Sequence, residues 1–401
     1  MRFGFSSDNL LAFLIGSLCF TSLSFYLSVQ VLALPFYLWE HVIIIFLLIY
    51  FSNNPGAKFR TVELILFLLL VSVWFVLFII TRDSELFEIL SAGRPWLIMG
   101  LFAIIAVRLS DLSEQMVFAF AFGMLSGEIL SYLIALNSEE FSGIYYLSYM
   151  VVFYFIIAGL RLYNSLLFVF LISIPYAVLS GFRVVLMVVF ISIFCILVTR
   201  FYLMSKIFLK NKFLDIFIGI SAIAFLAYVF ADQIPAVIKF RVFDRLFNFL
   251  SGNIYSSQDE DKIYMILNLF NLTELNIFPS GFNMISAGSL GLFMDNPILH
   301  FVNVFGLIFG VLLIALLLCV SITFWFRKVG SYVNVADQVA LYFVPLFPLL
   351  LLLNGRFTYI TYDAALFGFI VGRWFAILSF SKFTHNARVQ NSYKFYLMRG
   401  S

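Results

Sequence analysis

Long apolar runs, each closed by a few polar or charged residues, repeat along the chain from Leu10 to Phe380, with one long polar interruption. A membrane-spanning helix needs about 20 mostly apolar residues. Runs that meet or approach that length lie at 10–29, 34–51, 62–81, 95–109, 115–136, 143–160, 165–179, 184–199, 213–231, 298–325, 336–353 and 363–381. Lipid offers no partner to backbone N–H and C=O groups, so each run is expected to be helical. The pattern predicts an all-α, polytopic integral membrane protein of about twelve transmembrane helices, a single domain over residues 1–401. The first run follows a charged residue and has no small-residue cleavage site before further apolar sequence, so it reads as a first span and not as a removable signal peptide.

Composition removes the soluble alternative, because 63% of residues are hydrophobic and only 11% charged, against about 25% charged in soluble domains. The three cysteines, Cys19, Cys195 and Cys319, fall inside apolar runs and indicate neither a disulfide framework nor a thiolate metal site. The net charge of +3 is small, and its distribution is more informative. With a cytoplasmic N-terminus, inside segments carry fifteen of the 24 Lys and Arg and outside segments eight, Arg373 lying within the last span. Four of the outside eight fall in the long loop, which the positive-inside bias hardly governs. Both termini are therefore expected in the cytoplasm.

This orientation places residues 232–297 outside as the one long loop. In "IPAVIKFRVFDRLFNFLSGN", Arg241, Asp244, Arg245 and Asn248 share one helical face and Val, Phe and Leu the other, the signature of an amphipathic helix lying in the interface. The stretch "SGNIYSSQDED" separates it from a second helical run, "KIYMILNLFNLTEL". Then follows the Gly- and Ser-rich "FPSGFNMISAGSLGLFMDNP", whose Pro297 suits the first turn of a helix.

The same orientation puts Arg183, in "LSGFRVVLMVV", on a tight outward turn between two short spans. Arg94 and Arg356 also stand outside against the bias. The guanidinium fork suits phosphate or carboxylate and keeps its proton, so these three are candidate ligands for an anion at the outer leaflet. Each could instead snorkel to headgroups or pair with Glu85, Glu88 or Asp363. Asp295 and His300 flank the start of the tenth span, where either could act as a general base. Asp295 serves equally as a helix N-cap ahead of Pro297, and His300 as a satisfied interior histidine. Glu40 with His41, and Glu128, are further ionisable groups inside apolar runs. There is no phosphate-binding glycine loop, and His41, His300 and His385 are too dispersed to suggest a zinc site. No outward Asp-x-Asp pair is present to hold a metal on a diphosphate, so arginines would have to neutralise one.

Three stretches carry a resemblance: "LSGFRVVLMVVFISIF", "DEDKIYMILNLFNLTELNIFPSGFN" and "DNPILHFVNVFGLIFG". Together they resemble the bacterial O-antigen polymerase family (Wzy) and, more distantly, the O-antigen ligases of the same superfamily. The motifs cover about 60 residues, and the general layout is similar over most of the chain. The chain departs from the family at Lys262, where Arg is usual, at "FPSGF", which replaces a Gly-x-Gly turn, and at Asp295, where ligases have His.

The resemblance implies a polyprenyl-diphosphate-linked oligosaccharide as substrate, moved onto the next lipid-linked unit at the periplasmic face of the inner membrane. It implies that Arg183 binds the donor diphosphate with help from Arg356 and Arg94. Arg241 and Arg245, with Lys262 in the place of the usual Arg, would position lipid or glycan, and Asp295 or His300 would orient or deprotonate the acceptor hydroxyl. No cofactor, metal or nucleic acid enters. The implied partners are the lipid-linked oligosaccharides, membrane lipids and a chain-length-regulating protein. A lipid-linked oligosaccharide flippase and an O-antigen ligase are the alternatives.

Overall fold

The computed structural model describes residues 6–25, 27, 61–81, 86–108, 112–136, 148–163, 169, 171–176, 185, 188–189, 192–193, 277–282, 297–328, 333–353 and 356–380. The regular elements among them are all helices: α1 (Ser7–Cys19), α2 (Ser22–Phe25), α3 (Thr61–Ile80), α4 (Leu86–Arg108), α5 (Glu114–Leu136), α6 (Tyr149–Tyr163), α7 (Pro297–Lys328), α8 (Val335–Phe343), α9 (Leu346–Leu353), α10 (Arg356–Tyr359) and α11 (Thr361–Phe380). Two of them, over Glu114–Ile134 and Pro297–Lys328, are long and apolar enough to cross a membrane by length and composition. The expected spans at 34–51 and 213–231 lie outside the described residues, as do most of 165–179 and 184–199.

The structure departs from the sequence pattern at several points. The run at 10–29 breaks after Cys19, and α2 follows a turn at 20–21. The Thr21 hydroxyl donates to Ser17 O at 2.6 Å, taking the carbonyl that the Thr21 amide would use in a continued helix. The fourth helix begins nine residues before 95, so Arg94 sits on a helix and not in a loop. Pro95 withholds the N–H that Ser91 O would accept, and Trp74 Nε1 donates nearby to Gly93 O at 2.8 Å. The run at 336–353 divides into α8 and α9 at 344–345, where Pro345 has no N–H to continue the ladder. Within α7, Gly306 adopts φ 79° and ψ 163°, a region open essentially to glycine, and kinks the helix.

Two close helix pairs organise the bundle, each built on small residues. A Cβ at Gly123 or Gly127 of α5 would strike the backbone of Phe13 or Ser17 in α1. At Gly368 and Gly372 of α11 it would strike the backbone of Met99 and Ala103 in α4. Both pairs have Gly-x-x-x-Gly spacing, which lets backbones approach where side chains cannot intervene. In both, residue numbers rise together along the contact, so the helices run parallel. Aromatic rings fill the space beside α11: Phe357 lies 4.3 Å and Phe347 5.5 Å from Phe367 between ring centroids, and Trp374 Nε1 donates to Ala340 O at 3.0 Å.

At one end of the bundle, ion pairs tie the helices. Asp337, in the first turn of α8, is buried and accepts from Arg373 Nε at 2.7 Å and from Lys328 Nζ at 2.7 Å. Arg373, also buried, donates in addition to Ala106 O of α4 at 3.0 Å, so one guanidinium connects three helices. Glu114 and Arg161 form a second, more exposed pair at 2.5 Å. On the orientation expected from the sequence, Glu114, Arg161 and Lys328 fall on the cytoplasmic side, Asp337 at the inner start of the run 336–353 and Arg373 within the last run.

Candidate functional site

The opposite end of the bundle is built around two glycines. The kink at Gly306 disrupts the helical ladder of α7 and leaves the carbonyls of Asn303 and Val304 available. The turn 277–282, "IFPSGF", takes them: Ser280 N donates to Asn303 O at 3.2 Å and Gly281 N to Val304 O at 3.3 Å. A Cβ at Gly306 would fall 2.6 Å from Ile277 O, so only glycine permits this approach. Gly281, at φ 73°, sits equally tightly, where a Cβ would meet Leu77 O and Thr81 Oγ1 of the α3 terminus. Phe282 N then donates to Thr81 Oγ1 at 2.7 Å, and the Phe282 ring is buried beside Trp74, 5.7 Å between centroids.

Six residues before the kink, His300 meets Trp96 of α4 edge to face at 5.4 Å. Phe301 and Phe305 also contact Trp96, at 4.9 and 5.1 Å. His300 Nδ1 and Trp96 Nε1 are both buried with no hydrogen-bond partner among the described residues. His300 Nδ1 thus has no protein hydrogen-bond partner among the described residues, which a fully satisfied interior histidine would have. The one-turn helix α10, which Arg356 opens, packs on α4 and α7.

Arg94 does not share the surroundings of His300. It precedes Trp96 by two residues, about 200° round the helix, and so faces away from His300. Its half-buried side chain fits a structural or headgroup role better than a place beside His300.

A second polar cluster occupies this end between α2, α5, α6 and α11. Ser148 caps α6 by accepting from Met150 N at 3.1 Å, and its hydroxyl donates to the fully buried Asp363 in the first turn of α11. A carboxylate there is favoured by the helix dipole. Ser22 Oγ donates to Glu128 Oε2 at 3.2 Å, and with its proton so committed it accepts from Tyr362, 3.3 Å away. Glu128 thus belongs to a hydroxyl network across three helices.

Of the sequence candidates, His300 is placed with its surroundings, Arg94 on its helix, and Arg356 by its backbone. Arg183, Arg241, Arg245, Lys262 and Asp295 lie outside the described residues, as do Glu40 and His41. Comparison with known protein families, with characterised proteins and with solved structures gives no match to this chain. Among the described residues, no group of three or more His, Cys, Asp or Glu side chains comes together to hold a metal.

Trp96, Thr81 and Ser148 were not singled out by the sequence pattern. A tryptophan at the start of an apolar run, a threonine at a helix end and a serine just ahead of an apolar run are signals that could have marked them.

Proposed function

We propose that the chain is a multi-pass protein of the bacterial inner membrane, with about twelve spans and both termini cytoplasmic, that polymerises lipid-linked oligosaccharide repeat units. The observation that carries this reading is the union of two of the three stretches on which the family resemblance rests. "FPSGF" and "HFVNVFG" interlock through Ser280, Gly281, Asn303 and Val304, the bonded residues lying 23 positions apart. The topology draws support from the parallel pairs. The spans that hold α1 and α5 are expected to run outward together, and those that hold α4 and α11 to run inward together; each pair is parallel. The ion-paired end is then cytoplasmic and the His300 end periplasmic.

On this reading the donor already carries its leaving group as a polyprenyl diphosphate, and neither nucleotide nor ATP is needed. The barrier is charge accumulating on the departing diphosphate. Fixed guanidinium groups in a partly dehydrated site stabilise it without reorganisation. Arg183 supplies that charge, joined by Arg356 from α10. Arg241, Arg245 and Lys262 position lipid and glycan from the loop. His300, through its unpartnered Nδ1, accepts the proton of the attacking sugar hydroxyl, with Asp295 as the neighbouring carboxylate that orients the acceptor.

Complementation of a deletion strain tests the assignment of Arg183. Arg183→Ala is expected to abolish polymer at unchanged protein level in the membrane fraction; a normal distribution of chain lengths in that strain would remove Arg183 from the site.

A further inference from the structure

Between α3, α4, α7 and α11 lies a cavity of about 210 Å³ whose lining includes Trp74, Trp96, Phe282, Phe301, Phe305 and Leu313, and no ionisable side chain. We propose that it seats one hydrocarbon chain of a lipid, which enters from the bilayer between α3 and α7. The inference rests on the membrane reading above and not on polymerase activity.

Three observations select this occupant. First, the lining suits neither water nor a polar solute, since an engineered apolar cavity of roughly 150 Å³ stays dry and takes up benzene. Second, the cavity is continuous with surface meant for lipid. Val73 of α3 belongs to the wall and is also 41% exposed, beside the exposed Leu69 and Val76. On α7, Leu313 of the wall is flanked by the exposed Leu312 and Leu316. Helices α3 and α7 each pack elsewhere and have no extensive contact with each other among the described residues. Third, the wall is fixed before anything binds. Trp74 is held through Nε1 by Gly93 O, and Phe282 is held by its amide on Thr81. Phe282 belongs to the turn 277–282, so the region read as a periplasmic loop contributes directly to the chain-binding wall.

The shared chemistry is a single extended hydrocarbon chain, which could be the prenyl chain of a polyprenyl phosphate or the acyl chain of a phospholipid. The lipid-linked substrate proposed above favours the prenyl chain. A quenching titration distinguishes the sources. The full chain, purified in detergent, is titrated with a doxyl-labelled phosphatidylcholine, whose spin label quenches nearby tryptophan; geranylgeranyl phosphate and an unlabelled phosphatidylglycerol then compete with it.

The expected result is a saturable quench that is reduced in Trp96→Phe, lost in Trp74→Phe/Trp96→Phe, and shifted to at least about tenfold weaker binding in Val73→Phe/Leu313→Phe, which narrows the cavity from its rim. Release by geranylgeranyl phosphate assigns the prenyl source, and release by phosphatidylglycerol alone assigns the acyl source. A quench that never saturates, or that is the same in wild type, Trp96→Phe and the filled variant, overturns the proposal. If the double variant does not keep the wild-type melting profile, Val73→Phe alone, at the exposed rim, takes its place. No glycan is present in the titration, so failure of the polymerase reading leaves this result intact, and the reverse.

Discussion

The two ends of the bundle treat buried polar groups in different ways. At the end with Asp337, a carboxylate is held by Arg373 and Lys328, and Arg373 reaches a third helix through Ala106 O. At the other end, Asp363 and Glu128 take hydrogen bonds from the hydroxyls of Ser148 and Ser22, and the nitrogens of His300 and Trp96 face no protein partner among the described residues. The difference separates holding from acting. A buried ion pair fixes helix positions at a desolvation cost and offers nothing to a ligand. An unpartnered ring nitrogen beside a kinked helix costs stability of its own, and on the polymerase reading proposed above it is the group that a substrate would engage.

Breaking the ionic end should have the largest effect on stability. Asp337→Ala strands the Arg373 guanidinium next to Lys328 and is expected to cost about 3–5 kcal/mol, read as a lowered thermal midpoint of the purified protein. Asp337→Ala/Arg373→Met, which removes the stranded charge, should recover most of that loss; no recovery would mean that the ion pair is not what holds these helices. At the other end the expected effect is on activity instead. His300→Ala should slow polymerisation by about 10²–10⁴-fold if Nδ1 takes the acceptor proton, with little change in melting. A variant that melts early but still polymerises would reverse the roles given to the two ends.

The kink should show an intermediate effect. Gly306→Ala must place an alanine at φ 79° and 2.6 Å from Ile277 O. The backbone strain alone should cost about 1–3 kcal/mol, and protease digestion should reveal release of the turn 277–282 before global unfolding. The smallest effect belongs to the half-exposed pair of Glu114 and Arg161. Glu114→Gln should change stability by no more than about 1 kcal/mol, and less as salt is raised.

The sequence made the extents of α3, α5, α7 and α11 legible because each is an unbroken apolar run closed by charge or turn residues. It misplaced the start of α4, since Glu85, Glu88 and Arg94 looked like a loop while the helix continues through Pro95. It also missed the break after Cys19, which depends on hydroxyls bonding back to the helix. Rotation was harder to read than extent. A helix apolar on every side carries no signal for which face meets which neighbour, so nothing announced that Gly368 lies on Met99. The glycines of "FPSGF" and "FGLIFG" were visible as motifs, but their contact spans some 25 residues and appears only in the fold. The arginine proposed to meet the diphosphate, Arg183, rests on loop-by-loop charge counting and on the family resemblance.

The central claim is the polymerisation of lipid-linked repeat units, and the lipopolysaccharide profile of a deletion strain tests it most directly. On electrophoresis, loss of the polymerase should leave lipid A-core bearing a single repeat unit, with the longer ladder restored by the wild-type chain. Core with no repeat unit at all would indicate a flippase, and long polymer retained on the carrier lipid a ligase; either result would contradict the account.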